Sequence, residues 1–319
     1  METLIYQTTR LKPESAMSIL IPQEPRGTPN RWKTIAIILA VLVATQLLFT
    51  GVLLTEIISL RRDYSKQYLK LKNLQNQKEA LLNKYITLNQ TLNKWLESYE
   101  KLRKKVNLHS GTNDVKPLIT PEDPGVSQLV LSLTGGWQRP GNTRELLDDA
   151  FILYNWVVEN IEYRSDSPYP VLPPTPDGPL EFREDVWQFA NETLQLSAGD
   201  CEDMAILLCS LILNYLDGVY PVECIIIEGS SEAHVAVQLY LGNGKIVILD
   251  PAGRYYTCDA FWQITAKDVE TEVHEWLNYW APILGSGVHV SAVFSDEIYV
   301  EFASTENYIS WMLGRGVSS

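Results

Sequence analysis

The sequence predicts a protein of mixed α and β structure, in which long helices precede one globular part. An apolar stretch of 22 residues without a charge comes first, and a heptad repeat follows it. Further on, a helical pattern begins near Cys201 and precedes two alternating segments separated by Gly242-Asn243-Gly244. Period-two alternation on both sides of a glycine-rich turn is typical of an antiparallel hairpin. Hydrophobic residues make up 45% of the chain, which excludes a wholly disordered protein.

Charge separates the chain into modules. The net charge is −13, but residues 60–106 carry twelve Lys and Arg against four Asp and Glu, whereas residues 107–319 carry nine against 31. An acidic globular part argues against nucleic acid as a partner, because phosphate binding needs clustered cations. Four cysteines without a C-x-x-C pair argue against a disulfide scaffold and a structural zinc site. We expect no cofactor and no metal.

The N-terminal region contains a tail and a candidate membrane span. Residues 1–33 are interrupted by four prolines and predict a disordered tail. Thr34 to Thr55 carries no charge, and at about 1.5 Å per residue it spans a hydrocarbon layer of roughly 30 Å. We therefore predict a transmembrane helix over residues 34–58. A buried core helix or a cleaved signal peptide fits this length and its basic flanks less well.

The basic flanks leave the orientation of this span open. Three Lys and Arg lie close before it and five close after it, which would place the following domain in the cytoplasm. Long domains, however, cross membranes largely regardless of charge. Our expectation is a single-pass membrane protein whose globular domain lies outside the cytoplasm.

A heptad pattern over residues 60–106 predicts a coiled-coil stalk. Its two sets of seam positions are Leu60, Gln67, Leu74, Leu81, Leu88, Trp95 and Leu102, and Tyr64, Leu71, Lys78, Tyr85, Leu92, Tyr99 and Val106. We expect a homo-oligomer through this seam; the alternative is a helix that packs on its own domain. Three prolines in residues 107–125 indicate a linker, which leaves residues 126–319 as the globular domain.

The globular domain opens with a helix from Asn142 to about Asn160. Residues 165–180 follow with six prolines, and a loop of this length is either a rim or lid of a site or a peripheral insertion. The tryptophans at 262, 276, 280 and 311 are assigned to the core. The sequence leaves open whether Cys224 and Cys258 are bonded.

Cys201 is a candidate nucleophile. Asp200 is a good N-cap, and the helix runs to about Tyr215, so Cys201 lies in the first turn, where the helix dipole favours a thiolate. The neighbouring carboxylates of Asp200, Glu202 and Asp203 oppose this effect, because negative charge raises the pKa of a thiol. Cys201 therefore needs a histidine partner to react. The alternative is a small core residue like Cys209.

His234 and Asp250 supply the candidate partner pair. They lie at the outer ends of the two predicted strands, 234–240 and 245–250. A loop of residues 241–243 would place them directly opposite each other, and a loop of 242–244 would make them diagonal neighbours on one face. A two-residue loop would place them on opposite faces. A carboxylate beside an imidazole orients the ring and stabilises its cation.

Taken together, these segments resemble the transglutaminase-like superfamily, especially its archaeal and bacterial branch of cysteine-peptidase-like proteins. The matching stretches are Asn155-Trp156 with Ile161 and Tyr163, Trp187-Gln188, Gly199-Asp200-Cys201-Glu202-Asp203, Ala233-His234-Val235 and Leu249-Asp250-Pro251. The resemblance covers about residues 140–260. Family members often have glycine before the histidine and an aromatic residue after it, whereas this chain has Ala233 and Val235.

The resemblance implies an α+β, papain-like core, in which a central helix carrying Cys201 packs on an antiparallel sheet carrying His234 and Asp250. Cys201 would attack a carbonyl, His234 would act as base and then acid, and Asp250 would orient the imidazole. The side chains of Gln195 and Trp187 are candidate oxyanion donors, beside the backbone N–H of Cys201.

The expected function is that of a membrane-anchored thiol hydrolase or acyltransferase acting on peptide or carboxamide bonds through a thioester. Its partners would be a peptide or protein substrate, or a cell-surface polymer. The acidic domain favours neutral or cationic polymers. The alternative is an inactive domain that binds peptide or polymer on a coiled-coil stalk. Hydrolysis and transamidation are not separated by the sequence.

Overall fold

The computed structural model describes residues 29–110 and 115–315. Most of the predicted tail, residues 1–28, lies outside this range. Helix α1, Pro29–Leu108, contains 80 residues, so residues 29–33 of the predicted tail are helical. A proline suits the first position of a helix, because its missing N–H would have no partner there.

Helix α1 contains the predicted apolar stretch. Among the described residues it is the one helix long and apolar enough to cross a membrane, with a mean hydropathy of 2.5 over its most apolar 18 residues. The stretch has none of its side chains buried within the chain. The seam positions from Leu60 to Trp95 are exposed as well, for example Leu81 at 69% and Trp95 at 71%, whereas Tyr99 and Val106 are half-buried.

The chain divides into two compact units, Met1–Asn89 and Gln90–Ser319. The last turns of α1 therefore belong to the second unit, inside the segment that the heptad pattern assigned to the stalk. There the Tyr99 hydroxyl donates to the Pro173 carbonyl at 2.8 Å. The Asn107 amide donates to the Leu172 carbonyl and accepts from its N–H, both at 2.8 Å. This end of α1 thus holds the proline-rich loop.

Most of the predicted linker packs on the globular core. Val115, Leu118 and Ile119 are buried at 3% exposure or less. Their segment includes a short 3-10 helix, Lys116–Leu118. Prolines suggested a hinge here, but the apolar residues between them give the segment a buried face, so residues 115–121 are part of the domain.

Six further α-helices are found among the described residues of the second unit. They are α2 Pro124–Thr134, α3 Thr143–Asn160, α4 Ala190–Leu196, α5 Cys201–Leu216, α6 Val269–Leu284 and α7 Thr305–Leu313. The predicted helix at 142–160 is confirmed as α3, and its cap is Asn142, whose side chain accepts from the N–H groups of Arg144 and Glu145.

Eleven strands are assigned in the described residues. They are β1 Glu162–Tyr163, β2 Tyr169–Val171, β3 Glu181–Arg183, β4 Ala198–Gly199, β5 Val222–Glu228, β6 Ala233–Gly242, β7 Lys245–Asp250, β8 Tyr255–Tyr256, β9 Lys267–Asp268, β10 His289–Phe294 and β11 Tyr299–Glu301. Strands β2 and β3 form a separate hairpin inside the proline-rich loop.

Seven of these strands form the antiparallel central sheet, in the order β11-β10-β5-β6-β7-β8, with β9 also paired to β7. Apolar side chains are buried on both faces, so β6 and β7 are nearly continuous apolar runs. One face, with Val235, Val237 and Leu249, shares a core with α5. The other, with Ala236 and Ile248, shares a core with α6 and α7. The predicted α+β architecture, a helix carrying Cys201 on an antiparallel sheet, is confirmed.

Candidate active site

Helix α5 begins at Cys201, directly after strand β4. Asp200 occupies the predicted N-cap position, but its side chain makes no capping hydrogen bond. One of its oxygens, Oδ1, is buried without a hydrogen-bond partner. Unlike most N-cap side chains, the carboxylate of Asp200 therefore does not satisfy the N–H groups of the first turn.

Gly199 is required by the close packing of this turn. A Cβ atom at Gly199 would lie 2.5 Å from the Cβ of Asp203. Asp203 is fully buried, and it accepts hydrogen bonds from the backbone N–H of Gln188 at 2.7 Å and from its side-chain amide at 2.5 Å. Burial raises the pKa of Asp203 to about 7. Asp203 thus ties the chain before α4 to the start of α5.

We expect Gly199→Ala to lower the free energy of unfolding by about 1 to 3 kcal/mol, because overpacking forces the Asp203 turn apart. Urea denaturation followed by tryptophan fluorescence measures this change. Gly314→Ala is the matched control, since a Cβ there would meet its nearest atom at an ordinary 3.4 Å. Equal stability of the two variants would contradict the assigned role of Gly199.

The Cys201 thiol faces a carboxylate. Its Sγ donates to Oε2 of Glu202 at 3.1 Å, and Glu202 is itself buried at 6% exposure. Burial, and next the charge of Glu202, hold the pKa of the Cys201 thiol well above its usual value, while the backbone N–H of Val235 lowers it. The expected opposition of the neighbouring acids to a thiolate agrees with this direction.

Three carboxylates converge beside the thiol. Asp166, Asp200 and Glu202 each place an oxygen within 4.8 Å of the other two. Burial and the charge of Asp200 raise the pKa of Asp166 to about 7, against the hydrogen bond that it accepts from the Val186 N–H. All-oxygen groups suit hard cations, but Ca²⁺ takes about six to eight oxygen ligands. Three protein oxygens therefore do not by themselves define a metal site.

The other two predicted residues form a close pair. The His234 Nε2 lies 2.9 Å from both carboxylate oxygens of Asp250. His234 is 4% exposed and Asp250 is fully buried. A carboxylate only accepts hydrogen bonds, so Nε2 carries the proton and Nδ1 is the ring nitrogen left for another partner.

The register of the β6–β7 hairpin creates this pair. Val237 opposes Leu249 and Tyr240 opposes Ile246, which makes His234 a diagonal neighbour of Asp250 on one face, the second of the two arrangements that bring them together. The turn itself is shorter than a three-residue loop, because Gly242 pairs with Lys245. A β-bulge between Tyr240 and Gly242 adds one unpaired residue and restores the shared face.

Asp250 is held by more donors than the histidine alone. The indole Nε1 groups of Trp276 and Trp280 donate to its Oδ2 at 3.0 and 2.7 Å, and the backbone N–H of Gly253 donates to its Oδ1 at 2.7 Å. A Cβ at Gly253 would lie 2.6 Å from both Asp250 and Trp280, so only glycine permits this approach. Our sequence analysis assigned both tryptophans to the core and missed their contact with Asp250.

The thiol and the pair lie at the same end of strand β6, without a direct hydrogen bond. Helix α5 packs on the face that carries Val235, whereas His234 and Asp250 point to the face packed by α6. Among the described residues, the side-chain partner of the thiol is Glu202 rather than the imidazole. The structure thus joins His234 to Asp250 and places Cys201 beside the start of strand β6.

The two side-chain oxyanion candidates are placed differently. The Trp187 indole N–H donates to Asp185 at 2.8 Å, and its ring is 9% exposed. Gln195 lies exposed on α4. Their oxyanion role stays a prediction. All four cysteines are free, including Cys224 and Cys258.

Comparison with known proteins identifies one part of the chain. Residues 142–276 match the family model of the transglutaminase-like domain. No curated protein sequence matches the chain.

Solved structures match this chain at low similarity. A candidate cysteine protease of Cytophaga hutchinsonii has 18% identity and a TM-score of 0.28; the match covers 44% of this chain and 42% of that one. The calcium-bound LapG of Legionella pneumophila has 15% identity and a TM-score of 0.29, with 56% of this chain and 91% of that one covered. The chain thus spans less than half the length of the Cytophaga protein, and these likenesses say nothing about activity. The family match, which includes Cys201, His234 and Asp250, establishes that this chain carries a transglutaminase-like domain.

Proposed function

We propose that the domain is a thiol hydrolase or acyltransferase that cleaves peptide or carboxamide bonds through Cys201, His234 and Asp250. The observation that carries this proposal is the buried His234–Asp250 pair, 2.9 Å apart, at the start of strand β6. The next residue of that strand, Val235, directs its backbone N–H to the Cys201 thiol. A nucleophile, a base and a residue that orients the base are thus gathered at one end of the sheet.

The chemistry follows from the tautomer of His234. The Nε2–H group stays hydrogen-bonded to Asp250, so the unprotonated Nδ1 takes the proton from Sγ as the sulfur attacks the carbonyl carbon. The C–N bond then breaks, the proton passes from Nδ1 to the departing amine, and an acyl thioester remains on Cys201. Water releases an acid from this thioester, and an amine releases a new amide. Both reactions return the proton to sulfur.

The thiol must leave Glu202 to begin this sequence. A side chain hydrogen-bonded at 3.1 Å to a buried carboxylate, with its pKa raised, is a neutral thiol at rest. Activation therefore requires that the thiol turn from Glu202 toward Nδ1 of His234 and give up its proton there, rather than a preformed ion pair. The same contact favours the second candidate function, an inactive domain that binds peptide or cell-surface polymer.

Thiol labelling separates the two functions. The full-length chain, purified in detergent, is treated with iodoacetamide at pH 7, and each cysteine is followed by mass spectrometry. We expect Cys201 to react at least a hundredfold faster than the fully buried Cys209, and His234→Ala to remove this difference. Equally slow reaction of Cys201 and Cys209 would refute the enzyme and favour the binding domain.

We further propose that residues 34–58 anchor the protein in a membrane. The heptad seam of residues 60–106 would join copies of the chain into a homo-oligomer. The support is the exposed apolar helix and the exposed Leu and aromatic residues at heptad positions. The globular domain would lie outside the cytoplasm. Protease digestion of the domain in intact cells tests this placement, and protection from protease would reverse it.

A further inference from the structure

We propose that Trp276 and Trp280 are positioning residues for the reaction, which act by holding Asp250 and the ring of His234 in one orientation. This inference rests on the proposed function for its chemistry. Nothing in the local pattern of Cys201, His234 and Asp250 requires a residue from α6. Trp280 also lies beyond residues 142–276, the part that matches the family.

The first step concerns the face of α6 that meets Asp250. Tyr279 and Trp280 follow Trp276 by three and four residues, which places all three on one face of the helix. The two indoles donate to Oδ2 of Asp250, and the Tyr279 hydroxyl donates to the Gly253 carbonyl at 2.8 Å. Since Gly253 donates its own N–H to Oδ1, the helix grips both the carboxylate and the turn that follows it.

The second step is the number of donors. Asp250 accepts from four groups, namely His234, Trp276, Trp280 and the Gly253 N–H. A carboxylate offers about four lone-pair sites, so these donors satisfy it completely. A fully buried carboxylate with every site occupied has one orientation, and it transmits that orientation to the imidazole. Structural burial alone would not require that two indoles meet the same oxygen.

The third step separates the two indoles. The ring centroid of Trp280 lies 3.7 Å from that of His234, at an interplanar angle of 31°. The ring of Trp276 lies 6.3 Å away. Trp280 therefore restrains Asp250 through its N–H and the imidazole through its face, and an aromatic face also stabilises the imidazolium that forms as the thiol is deprotonated. Trp276 acts through its N–H alone.

Four variants of the full-length chain in detergent test this assignment. Trp276→Phe and Trp280→Phe each remove one N–H donor but keep an aromatic ring, and Trp280→Leu also removes the stack. Trp311→Phe is the matched control, because Trp311 lies on α7 among Phe302, Tyr308 and Arg315. The rate of Cys201 alkylation by iodoacetamide is measured from pH 5 to 9 for each variant.

We expect Trp276→Phe and Trp280→Phe to slow the alkylation by about tenfold and to change its pH profile, since each loses a hydrogen bond to a charged group. Trp280→Leu should slow it further, and Trp311→Phe should leave it unchanged. A merely structural role would lower the unfolding temperature without moving the pH profile. Wild-type rates and profiles in both Phe variants would overturn the assignment.

A second measurement does not depend on thiol chemistry. With ¹⁵N-labelled histidine, NMR reports the exchange of the His234 Nε2 proton with water, which is slow while this proton bonds to Asp250. We expect exchange at least tenfold faster in Trp276→Phe and Trp280→Phe. Faster exchange with an unreactive wild-type Cys201 would refute the proposed function and keep the positioning role. Unchanged exchange would refute the positioning role alone.

Discussion

Asp250→Asn is expected to slow the reaction of Cys201 by about a thousandfold or more, as expected for loss of the residue that orients the base. The reason in this protein is specific. The two indoles and the Gly253 N–H are donors only, so the N–H₂ group of an asparagine finds an acceptor here only if the imidazole of His234 accepts at Nε2. The imidazole then carries its proton on Nδ1, the nitrogen that must take the thiol proton, and this tautomer cannot act as the base.

Two measurements check this result. Alkylation of Cys201 at pH 7 reports the site, and urea denaturation reports the fold, for which we expect a loss of about 1 to 3 kcal/mol from the donors left unpaired. Asp268→Asn is the matched control, because Asp268 is exposed and pairs with Lys245 on the surface. An Asp250→Asn variant that reacts within threefold of the wild type would show that the pair is not part of the reaction.

Glu202→Gln is expected to act in the opposite direction and to accelerate the alkylation of Cys201. The sign follows from the causes of the raised thiol pKa, of which burial is the largest and the charge of Glu202 the next. Burial raises the pKa of Glu202 itself well above its usual value, so its effect on the thiol grows as Glu202 ionises with rising pH. A glutamine never acquires this charge, so the thiol pKa falls and a larger fraction is thiolate at a given pH. Below the pKa, the thiolate fraction rises about tenfold for each unit by which the pKa falls, and the alkylation rate rises by a smaller factor, about threefold, because a less basic thiolate is a weaker nucleophile.

The pH dependence gives the sharper check. Below the thiol pKa the rate should be higher in Glu202→Gln, and the midpoint of the profile should move to lower pH. Glu232→Gln is the control, since this exposed glutamate lies outside helix α5, before the start of strand β6. If Glu202→Gln reacts more slowly than the wild type, Glu202 assists the thiol instead of restraining it.

The parts of the fold that rest on local patterns were predictable. The bounds of α3, the start of α5 at Cys201, and strands β6 and β7 all agree with the patterns of their own residues. These elements depend on interactions within a few residues. The His234–Asp250 pair was predictable as a choice among registers, because strand pairing across one turn is also local.

The remainder of the site depends on contacts that local patterns do not carry. Trp276 and Trp280 reach Asp250 from a helix, and Asp166 reaches Asp200 from a loop before α4. The spacing of the two tryptophans is compatible with a shared helix face, but it does not show what that face meets.

The assignment of all four tryptophans to the core was wrong for Trp262. Its side chain is 77% exposed, and its backbone is left-handed with a φ of 61°. The side chain of Asp259 accepts from the N–H groups of Phe261 and Gln263 and so shapes this turn. The hydrophobicity of Trp262 alone does not indicate that its side chain lies exposed in a turn.

The bulge in the β6–β7 hairpin has a consequence for comparing this domain with its relatives. The side chains of His234 and Asp250 share a face only because the count of residues between them includes the unpaired one before Gly242. A relative with one residue more or fewer in this hairpin could keep all three site residues and still direct the histidine and the aspartate to opposite faces of its sheet. Whether such a domain can catalyse a reaction therefore depends on whether its hairpin length is odd or even, as well as on which residues it contains. The insertion of one residue could inactivate such a domain without altering its motif.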